Sequence, residues 1–299
     1  MVLLHYKINK QLHKYFLYNW IMNIENNKTY FIDLDGTLFD KKVGDRISHK
    51  NLSAMLLVKN FANIVLSTGR SYSDKHVMHT MHRLGITDAI CSSGAEIYID
   101  NVRKYAFFID NEILPMIVDF ARNNKLMLVI FDQNGESIYL QRSIERFLIN
   151  FFASSKFHII STFKKLNITN HINITKIALV VKNKFTVNRV LAKLDALFGQ
   201  YCNFHLASAN YVIEVTSIKT NKGLATSLYM QDKQMDPEDA VHIGDSDSDF
   251  TTRPFVGHLV AMKNGTSKLK SAADEIAPKS KNGGIWKYFI NKGKNKKDN

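Results

Sequence analysis

The sequence predicts an α/β protein whose mostly parallel sheet carries helices on both faces and is interrupted by an inserted α+β unit. Three observations lead there. Between Tyr30 and Cys91, short apolar runs alternate with stretches of helical period. From Glu96 to about Asn210, hairpin signals replace that alternation. After Tyr211 the alternation returns. Strands alternating with helices imply βαβ units and a parallel sheet, whereas hairpins mixed with helices mark a separate unit.

The elements follow in order. Tyr30–Asp33 reads as a short buried strand, 51–60 as a helix and Ile64–Ser67 as a second strand. Residues 73–84 have helical period with Val77, Met81 and Leu84 on one face, and Ala89–Cys91 is a third strand. Residues 96–99 and 104–109 read as strands paired around Asp100-Asn101, and 111–123 as a helix. Strands at 126–131 and 137–140 flank Asn134-Gly135, a strong hairpin signal. A helix over 143–152, a strand over 176–181 and a helix over 184–198 complete the inserted unit. Beyond the strand 211–215, helix 221–230, strands 241–243 and 259–261, and helix 284–291 close the pattern. The expected organisation is an extension over 1–27, a core from 28–94 and 210–291, an inserted unit over 95–209, and a disordered basic tail over 292–299.

With 45% hydrophobic residues and only 4 prolines, the 299-residue chain has the apolar material for one large or two ordinary domains. The formal net charge of +13 is scattered over the chain, with local density at its ends, and does not specify a nucleic-acid partner. Cys91 and Cys202 are too few for a disulfide scaffold and read as reduced thiols of a cytoplasmic protein. No apolar run approaches the roughly 20 residues that span a bilayer, and the first 27 residues lack a cleavable signal pattern. That extension reads either as an amphipathic helix around Leu12, Phe16 and Trp20 or as a dispensable lead, with Met22 as a second start.

The chemistry gathers where strands end. Open α/β sheets bind ligands at the carboxyl ends of their strands. Here those ends carry Asp33, the run Ser67-Thr-Gly-Arg70, and Gly244-Asp245. Asp33 and Asp35 can face one pocket if the chain turns sharply, and Gly36 permits the turn. One carboxylate can attack phosphorus while the other protonates the leaving oxygen and later activates water; the plainer reading is an Asp-Gly turn. Asp245 and Asp249 fit a hard-cation site shared with Asp33. The spacing of Asp245, Asp247 and Asp249 also opens an EF-hand loop, but Phe250 occupies the glycine position and Val256 the bidentate glutamate position. Thr68 and Gly69 offer a hydroxyl and backbone N–H groups to a phosphate, and Lys222 at a helix start offers an ammonium. His76, His79 and His82, spaced by three beside an apolar stripe, read as surface residues.

Taken in this order, the motifs resemble the haloacid dehalogenase (HAD) superfamily of phosphatases, over about 22–292. The resemblance implies a Rossmann-like core, and the inserted unit is similar to a C2-type cap, as in the Cof-type hydrolases. It implies Asp33 as nucleophile and metal ligand, and Asp35 as acid/base with its backbone carbonyl on the metal. Leu34 would lend a backbone N–H to the phosphate, with Thr68, Gly69, Lys222 and Ser248 around it. Asp245 and Asp249 would complete a Mg²⁺ site, and Asn264 matches an asparagine common near the end of such domains. In Cof-type proteins asparagine is usual where Ser248 stands, and Asn-Gly-Ala where Ser93-Gly-Ala95 stands. The implied activity is hydrolysis of a small phosphomonoester: a sugar phosphate, nucleotide or phosphorylated cofactor. A sugar phosphotransferase or mutase and a non-catalytic ligand-binding protein on the same fold are the alternatives.

Overall fold

The structure, a computed structural model, describes residues 27–42, 44, 46–145, 157–183, 185–206 and 211–295. The expectations for 1–26, for the 146–152 part of the helix expected over 143–152, and for the last four residues fall outside that set.

The first half-core runs β1 (Thr29–Ile32), α1 (His49–Val58), β2 (Asn63–Ser67), α2 (Lys75–Leu84) and β3 (Ala89–Cys91), followed by β4 (Glu96–Ile99) and β5 (Val102–Ala106). Next come α3 (Leu114–Asn123), β6 (Met127–Asp132), β7 (Gly135–Leu140), β8 (Phe157–Thr162), β9 (Lys176–Val180), α4 (Val187–Phe198), β10 (Cys202–Leu206) and β11 (Val212–Ser217). The chain then returns through α5 (Lys222–Asp232), β12 (Ala240–Gly244), α6 (Asp247–Phe250), β13 (His258–Met262), α7 (Ser267–Ala272), β14 (Glu275–Ala277) and α8 (Gly284–Asn295).

One sheet has the order β14-β13-β12-β1-β2-β3-β4-β5. Its pairings are parallel from β14 to β3 and antiparallel from β3 to β5. All of β1 is buried, and its two-residue period sends side chains to opposite layers. Tyr30 and Ile32 join Met55, Val77, Met81 and Phe289 beneath α1, α2 and α8. Phe31 joins Ala225, Tyr229 and Leu269 beneath α5 and α7. Helices therefore cover both faces, as the alternating sequence requires.

Local signals explain the joints. Asp74 caps α2 by accepting from the His76 N–H, and Gly85 ends that helix in the left-handed region at φ 59°. Val77, Met81 and Leu84 are buried on α2, while His79 and His82 are exposed and His76 half-buried. Asp100 and Asn101 both have positive φ, 53° and 62°, the backbone a tight two-residue hairpin needs.

The second sheet, β10-β11-β9-β6-β7-β8, is antiparallel except for the β7–β8 pair. One face buries Leu128, Ile130, Ile177, Leu179 and Ile213 against α3 and α4. The other carries Val129, Ile138 and Ala178.

The strands divide differently from the expected units. β4 and β5, expected in the insertion, extend the core sheet from β3, because Ile97 and Ile99 bury with Ala225 and Tyr229 of the core. β11, expected in the core, pairs with β9 and β10, because Ile213 and Val215 complete the apolar layer beneath α4. The two sheets thus part after Ala106 and rejoin after Ser217 rather than at 95 and 209. Residues 292–295, expected as disordered tail, continue α8. No helix among the described residues is long and apolar enough to cross a membrane.

Candidate active site

β1 and β12 are adjacent parallel strands whose chains continue to opposite sides of the sheet. That is a switch point, where the turns after the strands diverge and leave a crevice. Asp33 follows β1 and Asp245 follows β12.

Asp33 is 5% exposed. Its Oδ1 accepts from Lys222 Nζ at 2.8 Å, and no donor among the described residues bonds its Oδ2. The chain then turns back on itself: Thr37 and Phe39 N–H donate to the Leu34 carbonyl, and Leu38 N–H to that of Asp33. Gly36 makes this turn at φ 82°, and a Cβ there would fall 1.9 Å from Asp245 Oδ2. Glycine is therefore required by conformation and by close approach. Beyond the turn, Asp35 is held by Arg70, with Nη2 donating to Oδ1 at 2.8 Å and Nε to Oδ2. Arg70 Nη1 also reaches Asp74 at 2.8 Å. A bidentate guanidinium fixes a carboxylate in plane and direction.

Lys222 begins α5 beside its N-cap Asn221 and is 1% exposed. Its Nζ donates to both Asp33 Oδ1 and Asp249 Oδ1 at 2.8 Å. Asp249 is fully buried, and both its oxygens are taken. Oδ1 accepts from Lys222 and pairs with His242 Nε2; Oδ2 accepts from Asp245 N, Ser246 N and Ser246 Oγ. Asp249 thus fastens the loop that presents Asp245. Asn264 Nδ2 ties that loop to the first turn, donating to the Gly36 carbonyl at 2.8 Å and to Asp245 Oδ2 at 3.2 Å.

The electrostatics describe a pocket with too much negative charge. Burial pushes Asp245 up to about 7, helped by the Asp249 charge. Burial raises Asp33 as well, against the pull of Lys222 and with the push of Asp249 and Asp245. Asp249 is held low despite burial, by Lys222 and His242, and Lys222 is held high despite burial, by Asp249 and Asp33. Oxygen atoms of Asp33, Asp245 and Asp249 lie within 4.8 Å of one another. Asp33 and Asp245 offer carboxylate oxygens beside the fully bonded Asp249, a donor set that suits a hard divalent cation.

Thr68 is buried after β2, and its Oγ1 accepts from Arg70 N at 3.2 Å. Gly69 follows it. Ser248 sits in the second turn, its Oγ 2.8 Å from Ser246 Oγ. Asp33, Asp35, Gly69, Lys222, Asp245 and Ser248 all line one cavity of about 690 Å³, and Thr68, Leu34 and Asp249 are buried next to those residues. The second sheet roofs the cavity. Strand register places Phe131, Lys176, Ala178, His205 and Glu214 on one face, and all of them line it. Lys176 and Glu214 went unread in the sequence, as did the pairing of Arg70 with Asp35. The single charge in each of these strands, Lys176 and Glu214, is the available signal. Burial opposes the Glu214 charge, but Lys176 and Ser93 hold its carboxyl below the usual 4.5.

Comparison with known proteins places these features in context. The haloacid dehalogenase-like hydrolase family matches residues 30–289. Phosphatase YwpJ of Bacillus subtilis is 26% identical over 83% of this chain and 94% of its own. A haloacid dehalogenase-like hydrolase from Bacteroides thetaiotaomicron superposes with a TM-score of 0.73 at 23% identity, over 89% of this chain and 99% of that one. The HAD subclass IIB sugar phosphatase BT4131 superposes with a TM-score of 0.72 at 18% identity, over 87% and 97%.

Proposed function

The chain belongs to the haloacid dehalogenase-like hydrolase family, and from that premise we propose that it hydrolyses a small phosphomonoester with Mg²⁺, through a phosphoryl group carried on Asp33. Phosphatase activity itself rests on the family and on relatives matched over nearly their full length, such as YwpJ. The observation that carries the finer reading is the cluster of Asp33, Asp245 and Asp249 around Lys222 at the switch point.

In this reading Asp33 Oδ2 attacks phosphorus as the bond to the ester oxygen breaks, and Asp35 delivers a proton to that oxygen. Asp35 then takes a proton from water as the water oxygen attacks the phosphorus, releasing phosphate and restoring Asp33. Arg70 keeps Asp35 aimed through both steps. Thr68, the Gly69 and Leu34 backbone, Lys222 and Ser248 hold the phosphoryl oxygens. Asp33, the Asp35 carbonyl and Asp245 would hold Mg²⁺, with Asp249 fixing the loop; the ion supplies charge that offsets repulsion between an anionic nucleophile and an anionic ester.

A cavity of about 690 Å³ under a roof suits a small molecule rather than a phosphoprotein. A sugar phosphate is one candidate class, since the similar BT4131 is described as a sugar phosphatase. The second sheet, from about 107 to 217, serves as the cap. A metabolite screen with and without Mg²⁺, run beside Asp33→Asn, tests this reading. Mg²⁺-dependent turnover lost in the variant is expected; equal turnover in both would overturn the mechanism.

A further inference from the structure

Polar contacts cross from the roof to the edge of the core sheet. Lys176 Nζ donates to the Gly69 carbonyl at 2.5 Å, Ser93 Oγ to Glu214 Oε2 at 2.7 Å, and Ser71 Oγ to Glu136 Oε1 at 3.1 Å. Lys176 and Glu214 are themselves paired at 3.2 Å, and the Lys176 side chain is only 4% exposed. Its Nζ lies 4.2 Å from the centre of the Phe131 ring, so its approach to Gly69 is confined on the roof side.

The Gly69–Arg70 peptide joins these contacts to the chemistry. Its carbonyl accepts from Lys176, and its N–H donates to Thr68 Oγ1 at 3.2 Å. Bonds on opposite edges of one planar group fix its orientation. With Oγ1 already accepting, the Thr68 hydroxyl proton is left to be donated, and a phosphoryl oxygen is the acceptor this site offers. The Arg70 side chain continues to Asp35. Gly69 also lets the roof come close: a Cβ there would fall 3.1 Å from Glu214 Oε2 and 3.2 Å from Ser93 Oγ. Ser93 holds its own place at φ 58°.

We propose that Lys176, held by Glu214, is a positioning residue of the phosphatase site: by docking on the Gly69 carbonyl it orients the Thr68 hydroxyl and Arg70, so that seating the roof completes the grip on the phosphoryl group. This rests on the phosphatase reading above. It differs from recognition of the leaving group, because the effect of Lys176 passes through a core peptide and not through the substrate's variable part.

The test is a double-mutant cycle on full-length protein with Mg²⁺, using p-nitrophenyl phosphate and acetyl phosphate, whose leaving groups share no hydrogen-bonding pattern. Lys176→Met is expected to lower kcat/KM by about tenfold to a hundredfold on both probes. Lys176→Arg is expected to recover most of the loss. Combining Lys176→Met with Thr68→Val is expected to cost clearly less than the product of the two single losses, since the effect of Lys176 passes in part through the Thr68 hydroxyl. If Lys176→Met does not fold, Glu214→Gln takes its place in the same cycle. Additive losses, or losses that differ by probe, would overturn the role of Lys176 while leaving the phosphatase reading intact. Absence of Asp33-dependent turnover in the unsubstituted protein would overturn that reading and this one with it.

Discussion

A methyl group at Gly36 has no room. It would require a residue with a side chain at φ 82° and would press into Asp245 Oδ2. Gly36→Ala is therefore expected to reduce kcat/KM by at least about a hundredfold, the scale of a misplacement near 1 Å, with the protein still folded by circular dichroism. Glu214 makes a different expectation. Its folded pKa lies below its ordinary 4.5, so its contribution to stability is present above that value and is lost as pH falls through the depressed one. Glu214→Gln should flatten the acid limb of a stability-against-pH curve; an unchanged limb would contradict the pairing with Lys176 and Ser93. That Asp33 and Asp245 would meet at one cavity was legible in the sequence because each follows a short apolar strand, and strand ends are where such sheets bind ligands; that Asp35 would join them followed from the turn Gly36 permits. The pairing of Arg70 with Asp35 was not legible, since two side chains 35 positions apart meet only through the order of β1 and β2.

At the scale of elements, α5 brings a charge to the centre of the site. Lys222 is its first residue and is buried against Asp33 and Asp249. Removing one partner of a buried charge network costs about 3–5 kcal/mol. Lys222→Met is expected to destabilise the fold on that scale in urea denaturation, and added Mg²⁺ to return part of it by supplying positive charge to the same carboxylates. β1, β2, β3 and α2 were legible because their apolar residues follow the strand or helix period without interruption. β8 was not, since Phe157–Thr162 is at best half-buried and gives no alternation of the kind that burial of one full face imposes. β10 does alternate, with Cys202, Phe204 and Leu206 packing beneath α4 and Asn203 and His205 on the other face, but over only a short run. The β4–β5 hairpin is legible as a hairpin, but the sheet it joins is not. Its turn is encoded by Asp100-Asn101, whereas its partner strand is set by packing on α5.

Across the whole molecule, the site exists only where two sheets meet. The core sheet supplies the carboxylates, and the second sheet supplies a roof with Lys176 and Glu214. The sequence showed that an insertion was present but not which of its faces would turn inward, because both faces of β6 and β9 are apolar. A divalent ion should bind the folded protein and not the unfolded chain, whose carboxylates are dispersed. Saturating Mg²⁺ is then expected to raise the thermal midpoint, with about 2.7 kcal/mol gained at a hundredfold excess over Kd. Asp245→Asn should abolish most of that rise. The central claim is that phosphorus becomes bonded to Asp33 during turnover. Its most direct measurement is mass spectrometry of acid-quenched Asp35→Asn protein after mixing with Mg²⁺ and a substrate found in the screen. Slowed hydrolysis should leave a phosphoryl group on the peptide that carries Asp33; steady turnover by Asp33→Asn, with no phosphoryl group trapped on that peptide in the Asp35→Asn protein, would contradict it.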